Sequence, residues 1–283
     1  METTIQAQVR ELQQMVEQHD RCSLKLNWDM LSERPSDDTY DYFAWDGAQF
    51  IGFLGVYDFG NKLEMCGMVH PNNRRQGIGK RLLNQALLGW ANVPQRKLLN
   101  VPEGSKSGRA FVKALEWSLD FTEYEMSCSQ IDDLSNEDKV FLRKASEGDI
   151  PFILEMDQQG FAMSYEEAKK LYTVHENVYE GTFIIEKSDR LIGKMRLEHL
   201  EHETWLYGFV IDQKQRGRGL GRAALQALVQ QEVEQGRQIC LEVVAENEQA
   251  LRLYTSAGFT QFGAQHYYYK SENDNQKYKK PEA

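Results

Sequence analysis

Cysteine is scarce and scattered. The four in 283 residues, Cys22, Cys66, Cys128 and Cys240, form no C-x-x-C pair. That spacing supplies neither a zinc cluster nor a disulfide framework. Cys66 and Cys240 lie in apolar, strand-like stretches where small buried thiols belong. The six histidines make no H-E-x-x-H arrangement, so no metal is expected. No apolar run approaches the ~20 residues that span a bilayer, and no membrane association is expected. The N-terminal M-E-T-T-I-Q-A-Q-V-R-E-L is amphipathic and acidic, without the apolar core of a signal peptide, which leaves the cytoplasm as the expected location. Basic residues are outnumbered 33 to 43, for a net charge of −10. That balance excludes the broad basic face that binding nucleic acid requires.

Hydrophobic residues at 41% and charged residues at 27% fit a globular chain long enough for two domains. The positive charge is gathered in two clusters, Arg74, Arg75, Lys80 and Arg81, and Lys214, Arg216, Arg218 and Arg222. Both coincide with glycine-rich loops, a placement that suggests local phosphate sites.

Along the chain, residues 2–19 have a helical apolar period at Ile5, Val9, Leu12, Met15 and Val16. S-E-R-P-S-D-D reads as a loop. Y-F-A-W, the turn D-G and Q-F-I-G-F-L-G-V-Y-D-F read as a hairpin, and L-E-M-C-G-M-V as a third strand. H-P-N-N-R-R-Q-G-I-G then leads into the helix K-R-L-L-N-Q-A-L-L-G-W, the short strand K-L-L-N-V and a helix from Gly108 to Trp117. Residues 130–139 are polar and acidic, a linker by composition. The same grammar then repeats: a strand at V-F-L-R-K-A, helices at 147–161 and 164–172, a hairpin at 182–198 and the strand W-L-Y-G-F-V-I-D. The loop Q-R-G-R-G-L-G, a helix, the strand I-C-L-E-V-V and an amphipathic helix ending in Y-T-S-A-G-F complete the second copy. Arg74, Gly77 and Gly79 map onto Arg216, Gly219 and Gly221 at one constant offset, and Gly52 onto Gly193 with a one-residue gap. The pattern is an internal duplication of a mixed α/β unit. The expected division is 1–130, a linker at 131–138, 139–272 and a polar tail at 273–283.

A helix N-terminus presents unpaired N–H groups and partial positive charge, and glycine lets a phosphate approach them closely. R-x-x-G-x-G at a strand–helix junction therefore suits a pyrophosphate. G-R-G-L-G-R lacks the full G-x-G-x-x-G and follows antiparallel hairpins, unlike a dinucleotide fingerprint that opens a βαβ unit. No G-x-x-x-x-G-K-[ST] is present.

V-I-D-Q-K-Q-R-G-R-G-L-G-R-A-A-L resembles the acetyl-CoA pyrophosphate motif of the GCN5-related N-acetyltransferase (GNAT) superfamily. E-N-E-Q-A-L-R-L-Y-T-S-A-G-F resembles that superfamily's next motif, and V-H-P-N-N-R-R-Q-G-I-G-K-R-L-L matches the first motif in the other half. The resemblance implies two tandem GNAT-like α/β (mixed α+β) domains, each a central, mostly antiparallel sheet with flanking helices, the C-terminal one catalytic. It implies acetyl-CoA as the cofactor, held by Phe209, Val210, Arg216, Gly217, Arg218, Gly219, Leu220, Gly221, Arg222 and Asn247. It further implies a strand splayed from its neighbour before the loop, and direct attack of a primary amine through a tetrahedral intermediate. Tyr254 would protonate the departing thiolate, and the backbone N–H near Val210 would polarise the thioester carbonyl.

Glu203 is the candidate base that frees the amine, with a solvated charge at a strand start as the plain alternative and Glu198, His199, Glu201 and His202 nearby. In the first copy, aligning A-L-E-W-S-L-D-F on R-L-Y-T-S-A-G-F places Glu116 at the Tyr254 position, Arg109 at the Asn247 position and Asp120 at the glycine, after a longer intervening segment. That copy is expected to be degenerate in catalysis, with a possible second cofactor site at Val69, Arg74, Arg75, Gln76, Gly77, Ile78, Gly79 and Lys80. The other readings are a non-catalytic CoA-binding sensor and transfer of a larger acyl group. A small-molecule or peptide amine is the expected partner, for a monomer that is a pseudo-dimer of its domains, or a homodimer.

Overall fold

The structure, a computed structural model, describes residues 4–34, 40–130, 140–161, 163–173, 179 and 181–270. The expected linker at 131–138 and tail at 273–283 lie outside the described residues. No helix among the described residues is long and apolar enough to cross a membrane.

The chain divides into two compact units, and the division is not sequential. Unit 1 is Met1–Thr122 with Gly263–Ala283, and unit 2 is Glu123–Phe262. Both boundaries fall inside strands: β5 (Ser118–Cys128) and β11 (Thr260–Tyr269). The expected blocks 1–130 and 139–272 thus differ from the compact units, because backbone pairing assigns the last strand of the chain to unit 1 and most of β5 to unit 2. Neither strand stands out in the sequence: β5 carries Asp120, Glu123 and Glu125 and is mostly half-buried.

Unit 1 begins with α1 (Thr4–Asp20), whose Val9, Leu12 and Val16 recur at helical spacing and are buried, and the short α2 (Trp28–Ser32). The strands β1 (Asp41–Asp46), β2 (Gln49–Asp58), β3 (Lys62–Val69) and β4 (Arg96–Pro102) follow, with α3 (Ile78–Gly89) between the last two and α4 (Lys106–Ala114) after them. The strand order in this unit is β1-β2-β3-β4-β11. β2 is buried on both faces. Ile51, Leu54 and Val56 join Leu82 and Leu83 of α3 in one core, and Phe50, Phe53 and Tyr57 join the α1 stripe in the other.

Unit 2 holds β6 (Phe141–Lys144), α5 (Ile150–Phe161), α6 (Tyr165–Thr173), β7 (Thr182–Lys187), β8 (Arg190–His199), β9 (Glu203–Ile211), α7 (Leu220–Val233), β10 (Gln238–Val244) and α8 (Glu248–Ser256). Its strand order is β6-β7-β8-β9-β10-β5. Its core gathers Leu225, Leu228 and Val229 of α7 with Ile185, Met195, Leu206 and Leu241 of the sheet.

The duplication is visible in detail. β1 shifts register between Ala44 and Trp45, and β7 does so between Ile185 and Glu186. Gly52 faces Val69 across β2–β3, as Gly193 faces Ile211 across β8–β9.

Candidate active site

The two glycine loops have one geometry. Each opens with a single 3-10 turn, Pro71–Asn73 or Gln213–Gln215, and ends at a left-handed glycine, Gly77 (φ 80°) or Gly219 (φ 75°). Arg74 Nε donates to the Val69 carbonyl at 3.0 Å, and Arg216 Nε to the Ile211 carbonyl at 2.9 Å. Both arginines therefore staple the loop to the end of the preceding strand, a structural role the charge pattern alone does not reveal. Arg74 also reaches Asp20 at 2.8 Å, and Asp20 accepts from Ser107 at 2.9 Å. Burial pushes the Asp20 carboxyl up, but the bonds from Arg74 and Ser107 outweigh it and hold it below its ordinary value.

No side chain caps α3 or α7, so their first N–H groups stay available to an anion. A Cβ on Gly217 or Gly219 would meet nothing within 4 Å, yet both have φ of 75°. Open space above a left-handed turn at a helix N-terminus fits a pyrophosphate. In unit 1 Arg75 takes the Gly217 position at φ 65°. Arg218 is exposed and bonds Gln215 at 3.1 Å, Gly221 packs against Leu253, and Leu220, like Ile78 in unit 1, is buried beneath its loop. Arg222 lines a separate cavity of about 310 Å³ with Gln226, Thr255 and Gly258. Gln76, Gly79 and Lys80 complete the unit 1 loop, and Gly79 and Lys80 line the unit 1 cleft described below.

Each loop follows a parallel strand pair that opens. β3 pairs with β4 only over Lys62–Met65, and β9 with β10 only over Glu203–Leu206. Beyond those points no ladder pair joins the two strands. Here the units part. β2–β3 keeps an unbroken register, whereas β8–β9 shifts between Lys194 and Arg196, whose partners are Val210 and Tyr207. Gly208 and Phe209 therefore stand opposite Met195 alone, a bulge that frees backbone polar groups from the ladder at the mouth of the gap. Gly208 has φ 55°. Val210 is buried, and Phe209 is half-buried on the same core as Tyr254.

The final helices correct the alignment of the two copies. Asn247 caps α8 by accepting from Ala250 N at 3.1 Å, and Ser105 caps α4 by accepting from Gly108 N at 3.0 Å. Phe259 N bonds Tyr254 O, as Trp117 N bonds Val112 O. Gly258 (φ 91°) and Glu116 (φ 58°) hold the same left-handed exit. The residue that matches Tyr254 is thus Val112, not Glu116. Ser105 matches Asn247 and Glu116 matches Gly258, while Arg109 and Asp120 match neither functional position. No longer insertion separates the copies. The offset of the glycine loops simply continues through the last helix.

Tyr254 is half-buried on the unit 2 core, its ring 5.8 Å from Phe259. Burial pushes its phenol up to about 12. Among the described residues no hydrogen bond occupies its hydroxyl. Val112, 2% exposed, has no proton to give. Asn247 uses its Oδ1 in the cap, which leaves its amide N–H groups for a ligand.

Glu203 is not brought to this place. It opens β9 at the zipped end, where its carboxylate accepts from Trp205 Nε1 at 3.1 Å and Gln238 Nε2 at 3.0 Å. Five residues of strand, roughly 17 Å, separate it from the bulge. His199, Glu201 and His202 share its end of the β8–β9 hairpin; His199 contacts the buried Glu232 at 3.4 Å.

Unit 1 contains a cleft of about 480 Å³ between the diverging β3 and β4, lined by Val69, Arg74, Gly77, Asn100, Phe111 and Val16 among others. Asn100 is 5% exposed, and neither its Oδ1 nor its Nδ2 has a partner. An unsatisfied buried amide in an apolar cleft is costly unless a ligand completes it. Residue identity gives no hint of this, since only the splay turns Asn100 toward open space.

Residues 150–259 match the acetyltransferase (GNAT) family, and residues 38–117 match an acetyltransferase (GNAT) domain. A spermine/spermidine N(1)-acetyltransferase of Bacillus subtilis is 33% identical over 83 residues, 29% of this chain and 55% of that protein. The chain thus matches only about half the length of that relative. A GCN5-related N-acetyltransferase from Sphaerobacter thermophilus has the same fold, with a TM-score of 0.73 at 17% identity, covering 93% of this chain and 91% of that one. A tandem GNAT protein from the clavulanic acid biosynthesis pathway does too, at 0.63 and 13%, covering 94% and 95%.

Proposed function

The chain belongs to the GNAT acetyltransferase family, and from that premise we propose that unit 2 transfers acetyl from acetyl-CoA to a primary amine while unit 1 binds a CoA-type ligand without turning it over. One observation carries the reading. The two copies share loop, staple and splay, but only unit 2 adds the bulge at Gly208 and the hydroxyl of Tyr254.

Bound acetyl-CoA supplies the acetyl group as a thioester; transfer forms a C–N bond, breaks the C–S bond and moves one proton from nitrogen to sulfur. In unit 2 the N-terminus of α7, with Gly217 and Gly219, would hold the pyrophosphate. The edge of β9 near Phe209 and Val210 would pair with the amide-bearing arm, and a bulge N–H would face the acyl oxygen. Tyr254 donates the proton that sulfur takes up; burial keeps it protonated well past neutral pH. Glu203 lies roughly 17 Å along β9 from the bulge, too far to take the amine proton directly. In unit 1 the Asn100 amide, donor and acceptor together, complements a secondary amide of the same arm.

The negative charge of the chain and the spermine/spermidine relative make a polyamine the first acceptor to test. The test is CoA release from acetyl-CoA with a panel of polyamines, amino acids and aminoglycosides, alongside calorimetric titration with CoA. Activity that survives removal of the Tyr254 hydroxyl, or CoA binding to unit 2 alone, would contradict the corresponding half of the proposal.

A further inference from the structure

Unit 2 buries an ion pair beside the bulge. Lys194 on β8 contacts Asp157 on α5, and their side chains are only 5% and 4% exposed. Lys194 is the ladder partner of Val210, immediately before the register shift. Its Nζ lies 3.3 Å from where a Cβ on Gly208 would stand, so the ammonium rests on the bulge with no side chain between. From α5, Gly160 presses on the same place: a Cβ there would sit 2.4 Å from Val210 Cγ2. Burying two charges costs several kcal/mol per ion before their attraction is counted, and an apolar pair often does as well or better.

The duplication supplies the control. The ladder pairs Gly52–Val69 and Phe53–Met68 in unit 1 correspond to Gly193–Ile211 and Lys194–Val210 in unit 2. Phe53, 1% exposed, packs with Val16 of α1 and Met68. An apolar contact at this position thus supports the same loop and the same splay. Where the residue is apolar the strand runs straight; where it is Lys194 the strand bulges.

We infer that Lys194, locked in place by Asp157, is a positioning residue of the acyl-transfer site: it holds the bulge in register and sets a fixed positive charge behind the peptide that faces the acyl oxygen. The inference rests on the proposed acetyl transfer in unit 2. A fixed charge in a water-poor site favours negative charge that develops during transfer more than it favours the bound ground state. Its signature is a loss in kcat without a matching loss in CoA affinity.

The test compares the full-length wild type, the double variant Lys194→Met/Asp157→Leu, which leaves no charge buried alone, and the conservative Lys194→Arg. CoA release from acetyl-CoA is measured with the accepted amine and as slow hydrolysis without one, with CoA affinity by calorimetry and the thermal midpoint. For the double variant the expected result is a kcat lower on the order of tenfold to a hundredfold, CoA affinity within about threefold and an unlowered midpoint; Lys194→Arg recovers part of kcat. Wild-type kcat in the double variant overturns the inference. So does a loss that follows a fallen midpoint and lost CoA binding, which marks a structural clamp only. A wild type that releases no CoA under either condition overturns the acetyl-transfer reading and this inference with it, whereas an active wild type with an equally active double variant overturns this inference alone.

Discussion

Under the proposed transfer, Tyr254 is the residue that gives sulfur its proton. Tyr254→Phe removes one oxygen from a half-buried ring, so acetyl-CoA affinity should stay within a few-fold while kcat falls on the order of a hundredfold or more; steady-state rates beside calorimetry check the split. Because burial lifts the phenol to about 12, the rate should show no alkaline fall attributable to Tyr254 between pH 8 and about 10. A pH–rate profile of kcat that loses such a limb in Tyr254→Phe would count against the assignment. Asp149 provides a stability counterpart. Hydrogen bonds from Arg143 hold its carboxyl well below the usual value of 3.8. A depressed carboxylate contributes stability that is full above the unfolded value and is lost as the pH falls below it. The thermal midpoint should therefore drop more steeply below about pH 4 in the wild type than in Asp149→Asn, as melting curves between pH 6 and 2.5 would show. A two-part motif singles out Tyr254 in the sequence, and the structure packs it on the unit 2 core beside Phe259. The place of Glu203 at the paired end of β9 leaves no mark in the sequence, because strand alternation tells which face a residue occupies but not which end of a parallel pair is open. Val112 was hidden by an assumed insertion that the matching helix caps of Ser105 and Asn247 remove.

At the scale of elements, β9 differs from β3 by a single bulge, and Gly208 is what permits it. A non-glycine residue at φ 55° costs about 1–2 kcal/mol, and a Cβ there would also crowd the Lys194 ammonium at 3.3 Å. Gly208→Ala should thus lower the midpoint of chemical denaturation and depress kcat more than acetyl-CoA binding, whereas Gly67→Ala on β3 of unit 1 should leave kcat unchanged. Gly219→Ala addresses the loop: the same strain should weaken acetyl-CoA binding by roughly tenfold, measured by titration. The loops, their helices and the hairpins were readable from glycine placement and apolar period. The bulge had one signal, a glycine in mid-strand. W-L-Y-G-F-V-I satisfies strand propensity without it, so the glycine alone does not mark a bulge. The Lys194–Asp157 pair had none, since a lysine in K-M-R-L-E alternates like any surface residue.

At the scale of the molecule, the duplication was plain in the sequence but the boundaries were not, since pairing partners far apart in the chain leave no local mark. β4 takes its antiparallel partner from residues 265–269, and β10 takes its own from residues 123–128. The continuous segment 123–262 should accordingly fold and bind CoA by itself, whereas 139–272, which omits β5, should melt lower or aggregate through the exposed edge of β10. Circular dichroism melts and calorimetry on the two fragments decide this.

The placement of β11 also bears on how the chain is born. Domains commonly fold in the order in which they are synthesised, but here the first unit begun is the last one finished. Its closing strand reaches it only after the whole of unit 2 has been translated, an interval of roughly 7–28 s at ordinary elongation speeds. For that time the unit that starts at the N-terminus must wait with the edge of β4 unpaired, and a late stall in translation would strand unit 1 rather than unit 2.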